Sequence, residues 1–149
     1  MRAVVQRTNF SRVVVNDKET GNIKKGLMVL LGIKKGDNEA DARYMMDKIV
    51  NLRIFEDQEG KMNRSLFDVQ GEIMLVSQFT LYGDVRKGRR PSFSEAELPD
   101  LALPLFNYCL NYLKEMGIKV QTGVFGAEMQ VEINNDGPCT LLIDSEKLF

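Results

Sequence analysis

At 149 residues the chain has the length of one compact domain, and with 44% apolar and 28% charged residues its composition is globular rather than disordered. A net charge of −1 offers no global attraction for phosphate, so nucleic-acid binding requires a local basic patch. Histidine is absent altogether, which excludes the Ser-His-Asp triad, the Cys-His pair, the HExxH zinc site and any imidazole base.

In chain order, Val4-Val5 and Val13-Val14-Val15 form two short β-branched runs, a residue type suited to a pleated strand. Residues 17–22 read as a polar turn. Gly26 to Ile33 is a continuous apolar run bracketed by glycines, the pattern of a buried central strand. From Asp37 the period changes. Ala42, Met45, Met46, Ile49 and Val50 recur at helical spacing behind acidic Glu39 and Asp41, which predicts a helix over 38–51. Residues 56–71 are polar and turn-rich. Glu72 to Phe79 reads as the next strand, followed by a long aperiodic loop from Tyr82 to Glu97.

A second helix is predicted from Pro99 to Gly117, with Leu105, Phe106, Cys109, Leu110, Leu113 and Met116 on its apolar stripe. Pro104 fits that helix only within the first turn. Met129, Val131 and Ile133 alternate with polar residues in a half-buried strand, and residues 139–143 make the last one. No repeat, linker or compositional break divides the chain, so one domain over 1–149 is expected. Strands outnumber helices, and two helices cover only one face of a sheet. The expected fold class is α/β (mixed α+β): a β-rich, barrel-like mixed sheet with helices packed on one face.

Two cysteines, Cys109 and Cys139, make neither a disulfide framework nor a zinc quartet. A reducing, cytoplasmic setting is expected, and neither a metal nor another cofactor is implied. No apolar run is long enough to span a bilayer, and residues 1–7 lack a signal-peptide core, so no membrane association is expected.

Three segments concentrate groups able to bind or react. The apolar run Ile73–Val76 gives way abruptly to Ser77-Gln78-Phe79-Thr80, placing two hydroxyls and an amide where a buried strand emerges. The same residues would serve equally to cap the ladder. Arg86-Lys87-Gly88-Arg89-Arg90 puts four cations into five residues, followed by Pro91-Ser92-Phe93. That loop is either solvated surface or a phosphate-contacting patch, because guanidinium matches phosphate geometry. Asn134 to Thr140, with Asp136-Gly137-Pro138 at its centre, reads as a tight hairpin turn, or as a constrained segment if the Gly137-Pro138 bond is cis. Glu128 and Glu132 resemble a paired-carboxylate site only superficially, since on a strand both point to one solvent-facing side.

Taken together, Ser77-Gln78-Phe79-Thr80-Leu81, Lys87-Gly88-Arg89-Arg90-Pro91-Ser92-Phe93 and Asn135-Asp136-Gly137-Pro138-Cys139-Thr140 resemble the D-aminoacyl-tRNA deacylase (D-tyrosyl-tRNA(Tyr) deacylase) family. Thr122 to Met129 and Arg2 to Arg7 fit it as well, so the likeness runs over essentially the whole chain in order. One departure is Cys139, where the family usually has valine, a swap of similar size and apolar character.

The resemblance implies a cytoplasmic homodimer with active sites at the interface, acting on tRNA that carries a D-amino acid or glycine. It implies that Gly137-Pro138 reaches into the partner's pocket, that Arg7 helps hold this segment, and that Ser77, Gln78, Phe79 and Thr80 line the site. Phe125, Met129 and Ala102 match pocket positions. Arg86, Lys87, Arg89 and Arg90 become the expected tRNA phosphate contacts. Thr80 is one candidate nucleophile. The other route gives the chemistry to the terminal adenosine's 2′-hydroxyl, with the Phe79 N–H as oxyanion donor. The second is favoured chemically, because no histidine is present to deprotonate Thr80 and an aminoacyl ester is already labile. Handedness then follows from backbone carbonyls that exclude an L side chain, a wall that glycine does not meet. The rivals are an RNA-binding module without catalysis and a general esterase lacking an elbow motif.

Overall fold

The computed structural model describes residues 1–149. Its elements are β1 (Arg2–Val15), β2 (Lys18–Ile23), β3 (Gly26–Gly32), α1 (Glu39–Val50), β4 (Phe55–Glu56), β5 (Met62–Arg64) and β6 (Glu72–Ser77). There follow a 3-10 turn (Phe79–Tyr82), α2 (Pro99–Glu115), β7 (Val120–Thr122) and β8 (Gln130–Asp144). The main sheet runs β2-β1-β3-β6-β7, with β8 also paired to β1. The β3–β6 and β6–β7 pairs are parallel, and the others antiparallel. The path nearly closes on itself: a Cβ at Gly21 of β2 would lie 2.8 Å from the Thr122 carbonyl oxygen of β7. This is the mixed, barrel-like sheet expected from the sequence.

Strand periodicity divides the core in two. On β3 and β6, Leu27, Val29, Leu31, Ile73 and Leu75 face α1 and α2, meeting Met45, Met46, Ile49, Phe106, Cys109 and Leu113. Met28, Met74 and Val76 face the opposite way and join Val13 and Ile23 inside the barrel. Both faces of these strands are buried, which is why their sequences read as unbroken apolar runs.

Helix α1 is closed by a capping box: Asn38 Oδ1 accepts from the Ala40 N–H at 2.8 Å and Asp41 accepts from the Asn38 N–H at 3.0 Å. Helix α2 starts at Pro99 and runs through Pro104, which therefore lies beyond the first turn, contrary to expectation. The carbonyl that Pro104 leaves without a donor belongs to Asp100; both residues are exposed, so solvent satisfies it.

Three further expectations change. The two valine runs are one 14-residue strand, because the polar residues between them find partners: Thr8 Oγ1 donates to the Asn134 carbonyl at 2.9 Å and lies 3.0 Å from Ser11 Oγ. The supposed turn at residues 17–22 turns only at Asn16-Asp17, both at positive φ, and its remainder is β2, paired to β1. Residues 134–140 form no hairpin. They are a bulged stretch within the single 15-residue strand β8, where the register against β1 shifts between Gln6 and Thr8 and again before Phe10.

Gly26 begins β3 where the parallel pairing with Glu72 starts, and a Cβ there would meet the Glu72 carbonyl oxygen at 1.9 Å and its nitrogen at 2.6 Å. Backbone occupies that space and cannot rotate aside. Gly26→Ala is expected to cost about 3 kcal/mol of stability, read as a lowered urea midpoint. A loss below about 1 kcal/mol would show that β3 and β6 separate freely, contrary to this packing.

Candidate active site

The parallel strand β6 ends at Ser77, opposite Leu31 of β3. The chain then leaves the sheet: the Gln78 N–H still donates to the Leu31 carbonyl at 2.8 Å, and Phe79 to Tyr82 coil into the 3-10 turn. Within such a turn the first N–H groups, those of Phe79 and Thr80, have no partner of their own, and no side chain caps them. The Gln78 amide instead donates to the Thr80 hydroxyl.

This strand end opens on a pocket of about 400 Å³ lined by Ser77, Gln78, Phe79, Ala102 and Phe125 together with Leu31, Ile33 and the wall from Phe93 to Pro99. Phe79 and Phe93 meet edge to face at 5.1 Å between centroids, and Phe125 packs against Phe106 at 5.6 Å. Met129 lies behind the pocket, in a narrow crevice shared with Ser77 and Phe125. Thr80 is exposed on the turn and does not line the pocket. No group of three His, Cys, Asp or Glu side chains is placed to hold a metal ion. Burial pushes the Cys109 thiol up to about 12, the behaviour of a core residue rather than a nucleophile.

A second cluster forms where β1 meets the bulge of β8. The Arg7 side chain is buried, with Nη1 donating to the Ile54 carbonyl at 2.7 Å and Nε to the Asp136 carbonyl at 3.2 Å. Nε also lies 3.1 Å from the Asp136 carboxylate, and Nη2 lies 3.8 Å from Glu56. From the other side, Asn135 Nδ2 donates to the carbonyls of Arg7 and Cys139 at 2.9 and 3.0 Å. The segment so held contains Gly137, at φ +130°, and Pro138, joined by a cis peptide bond; both are exposed. A Cβ on Gly137 would stand 2.9 Å from the Cys139 nitrogen and 3.1 Å from Arg7 Nη2, so only glycine fits beside the guanidinium.

The register separates the two clusters within one chain. Arg7 pairs with Leu27 of β3, whereas Ser77 pairs with Leu31. Four residues along β3 amount to about 13 Å, and Gly137 lies three strand spacings of about 4.8 Å from β6.

The basic segment projects as a loop closed by mutual backbone hydrogen bonds between Asp84 and Ser92, at 2.7 and 2.9 Å. Its four cations are not equivalent. Arg86 forks onto Asp84 at 2.9 and 2.8 Å, and this hydrogen bonding holds the Asp84 carboxyl down to about 2. Lys87, Arg89 and Arg90 are exposed and form no ion pair. The sequence reading missed the pocket wall from Phe93 to Pro99 and the tether at Asn135. The spacing Asp84-x-Arg86 was the available signal that one of the four cations is neutralised.

The sequence pattern of the family described as D-Tyr-tRNA(Tyr) deacylase matches residues 4–144. A protein named D-aminoacyl-tRNA deacylase from Syntrophomonas wolfei is 69% identical over 149 residues, covering 100% of both chains. One of the same name from Thermosipho melanesiensis is 59% identical, again over 100% of both. Among solved structures, one described as c-Myc DNA Unwinding Element Binding Protein superposes at a TM-score of 0.91 with 41% identity, over 97% of this chain and 98% of that one. A probable eukaryotic D-amino acid tRNA deacylase shares the fold at a TM-score of 0.80 with 20% identity, over 95% of this chain and 97% of that one. With the motifs in order and the pattern matched from Val4 to Asp144, this chain belongs to the D-Tyr-tRNA(Tyr) deacylase family.

Proposed function

We propose that the chain hydrolyses the ester linking a D-amino acid to tRNA, releasing the free amino acid and the tRNA. The observation that supports this best is the pocket at the end of β6, where uncapped N–H groups open a 3-10 turn beside an apolar cavity. An ester carbonyl seated there accepts from the Phe79 N–H, which stabilises the oxyanion as the tetrahedral intermediate forms. Water adds to the acyl carbon, the bond to the ribose oxygen breaks, and that oxygen takes the proton. The 2′-hydroxyl of the terminal adenosine orients or activates the attack, since it is held close to the carbonyl by the substrate itself. Thr80 is a poorer candidate: its hydroxyl oxygen accepts from Gln78, and no base contacts it.

Handedness, on this reading, comes from a second copy of the chain. Gly137-Pro138 lies too far from Thr80 to face it within one chain, but it is exposed and firmly tethered by Arg7 and Asn135. A homodimer that sets this segment against the partner's pocket places backbone carbonyls where an L side chain would go. D-aminoacyl groups and glycine pass, and L-aminoacyl groups clash. Lys87, Arg89 and Arg90 contact tRNA phosphates, and Arg86 contributes less because Asp84 neutralises it. A cytoplasmic location fits two free, buried cysteines, and no helix is long and apolar enough to cross a membrane.

The alternative is nucleic-acid binding without catalysis, suggested by the basic loop and by the DNA-binding name of the 41%-identical structure. Release of D-tyrosine from D-tyrosyl-tRNA decides between them: sustained turnover supports the deacylase, and binding without release supports the module.

Thr80→Ala is expected to keep kcat/KM within about fivefold of the parent, whereas a 2′-deoxy terminal adenosine should lose about 100-fold or more. The opposite ranking would make Thr80 the nucleophile.

Replacing Arg89 and Arg90 together with alanine should raise KM, leave kcat nearly unchanged, and reduce the slope of log(kcat/KM) against log salt by about 1.5. Arg86→Ala should change that slope less. Equal slopes in all three proteins would return the loop to ordinary surface.

A further inference from the structure

Directly paired residues of an antiparallel sheet point to the same face, and at the pocket end of the sheet one such row is Gly32 on β3, Arg2 on β1 and Asp144 on β8. The middle member of the row reaches to both sides. Arg2 Nε donates to the buried Asp144 carboxylate at 2.9 Å, and Nη1 donates to the Leu81 carbonyl at 3.3 Å. The guanidinium also stands 4.6 Å from the centroid of the buried Tyr82 ring. Leu81 and Tyr82 are the last two residues of the 3-10 turn that begins at Phe79.

The turn rests on Gly32. A Cβ there would lie 3.0 Å from the Gln78 carbonyl oxygen, 3.1 Å from Leu81 Cβ and 3.3 Å from Tyr82 Cδ2, so its three nearest neighbours all belong to the turn or to the residue before it. The Gln78 oxygen accepts from the Leu81 N–H at 3.2 Å, while the Gln78 N–H is tied to the Leu31 carbonyl at 2.8 Å. With its start fixed to β3 in this way, the turn has its height above the strand set by the bare backbone at Gly32 and by the Arg2 anchor at its far end. Neither residue lines the pocket.

We infer that Gly32 and Arg2 are positioning residues for the hydrolysis, holding the Phe79 N–H where the oxyanion develops without touching the substrate. The inference rests on the deacylase reading above. A methyl group at residue 32 would push the turn away by a few tenths of an ångström, and loss of the Arg2 fork would free the turn's far end. Either shift misplaces a donor whose hydrogen bond strengthens in the transition state. It therefore lowers kcat and leaves KM and handedness alone.

The test compares release of D-tyrosine from D-tyrosyl-tRNA by the parent protein, Gly32→Ala, Arg2→Lys and, as a control, Gly26→Ala, each well below its unfolding midpoint. Lysine keeps a positive charge beside Asp144 but lacks the planar fork that serves Asp144 and Leu81 together. Gly26 begins β3 at the end away from the pocket, so its substitution strains the same strand without touching the turn. Gly32→Ala is expected to lose about tenfold or more in kcat and Arg2→Lys about fivefold. Both should keep KM within about twofold and release L-tyrosine as poorly as the parent, while Gly26→Ala keeps its kcat. If Gly32→Ala folds with the parent's kcat, or Gly26→Ala loses as much, this inference fails and the deacylase reading stands. Should Gly32→Ala not fold, Arg2→Lys decides, and a kcat equal to the parent's overturns the inference. If the parent releases no D-tyrosine, both fall.

Discussion

Strand β1 hydrogen-bonds along both of its edges, and nearly everything else is positioned by that fact. Residues 2–8 pair with β3 and residues 11–15 with β2, while β8 takes the opposite edge from Arg2 to Val14. The strand therefore belongs at once to the barrel wall, to the hairpin that nearly closes the barrel, and to the long outer strand bearing Gly137-Pro138. Its polar middle would be a liability if unsatisfied, because buried hydroxyls and a buried guanidinium are costly without partners. Thr8 and Ser11 bond each other and β8, and Arg7 is taken up by Ile54 and Asp136. The hydrogen bonds that make burial of this stretch tolerable are the same ones that shape the bulge of β8. Fold and site are one network here.

The pocket is built on different terms. Its walls come from the ends of parallel strands β3 and β6, from the start of α2 and from the loop before it, a place where rigid elements present groups to a crevice. What faces the cavity is largely apolar, with one amide, one hydroxyl, one carboxylate and backbone dipoles. Such a surface has no strong base and needs none for a labile ester. On the proposed reading it holds the carbonyl against fixed donors and keeps the rest of the acyl group away from water. The basic loop stands outside this cavity and supplies charge without altering its polarity.

How much of this was legible depended on where each residue's partner lies. The runs at Gly26–Ile33 and Glu72–Val76 were readable because both faces are buried, and α1 because its cap and stripe are local. Strand β2 was not: Lys18 to Asn22 has no apolar alternation, and its order comes from pairing with β1 and from Gly21 packed against Thr122. Asn134 to Thr140 has turn chemistry, yet a partner strand 120 or more residues away draws it into a ladder, a tertiary override of local preference. Ser77 to Thr80 stood out as polar residues interrupting an apolar run. The facing wall, Phe93 to Pro99, gave no such sign, because an aperiodic segment becomes a wall only once Ala96 has paired with Lys34 and Glu97 with Ile33.

The proposed mode of selection has a consequence for what the pocket can and cannot be tuned to reject. A wall of backbone carbonyls discriminates by excluded volume and by unpaired polar groups, so its penalty falls only on an acyl group that places atoms there. Tightening the wall raises the cost to an L side chain, but glycine has no atoms to collide, and its two α-hydrogens fit whichever way it binds. No change confined to Gly137, Pro138 or their tether at Arg7 separates glycine from a D-amino acid by repulsion. On this reading that separation has to come from attraction, through contacts of a D side chain that glycine forgoes or through interactions with the tRNA body. A methylene group seated in an apolar pocket is worth about 1–3 kcal/mol, so each one that glycine lacks gives a preference of about 10–200-fold, whereas a steric wall has no such ceiling. On this reading, rejection of L-aminoacyl groups and discrimination against glycine are separate physical problems, the first one of exclusion and the second one of attraction.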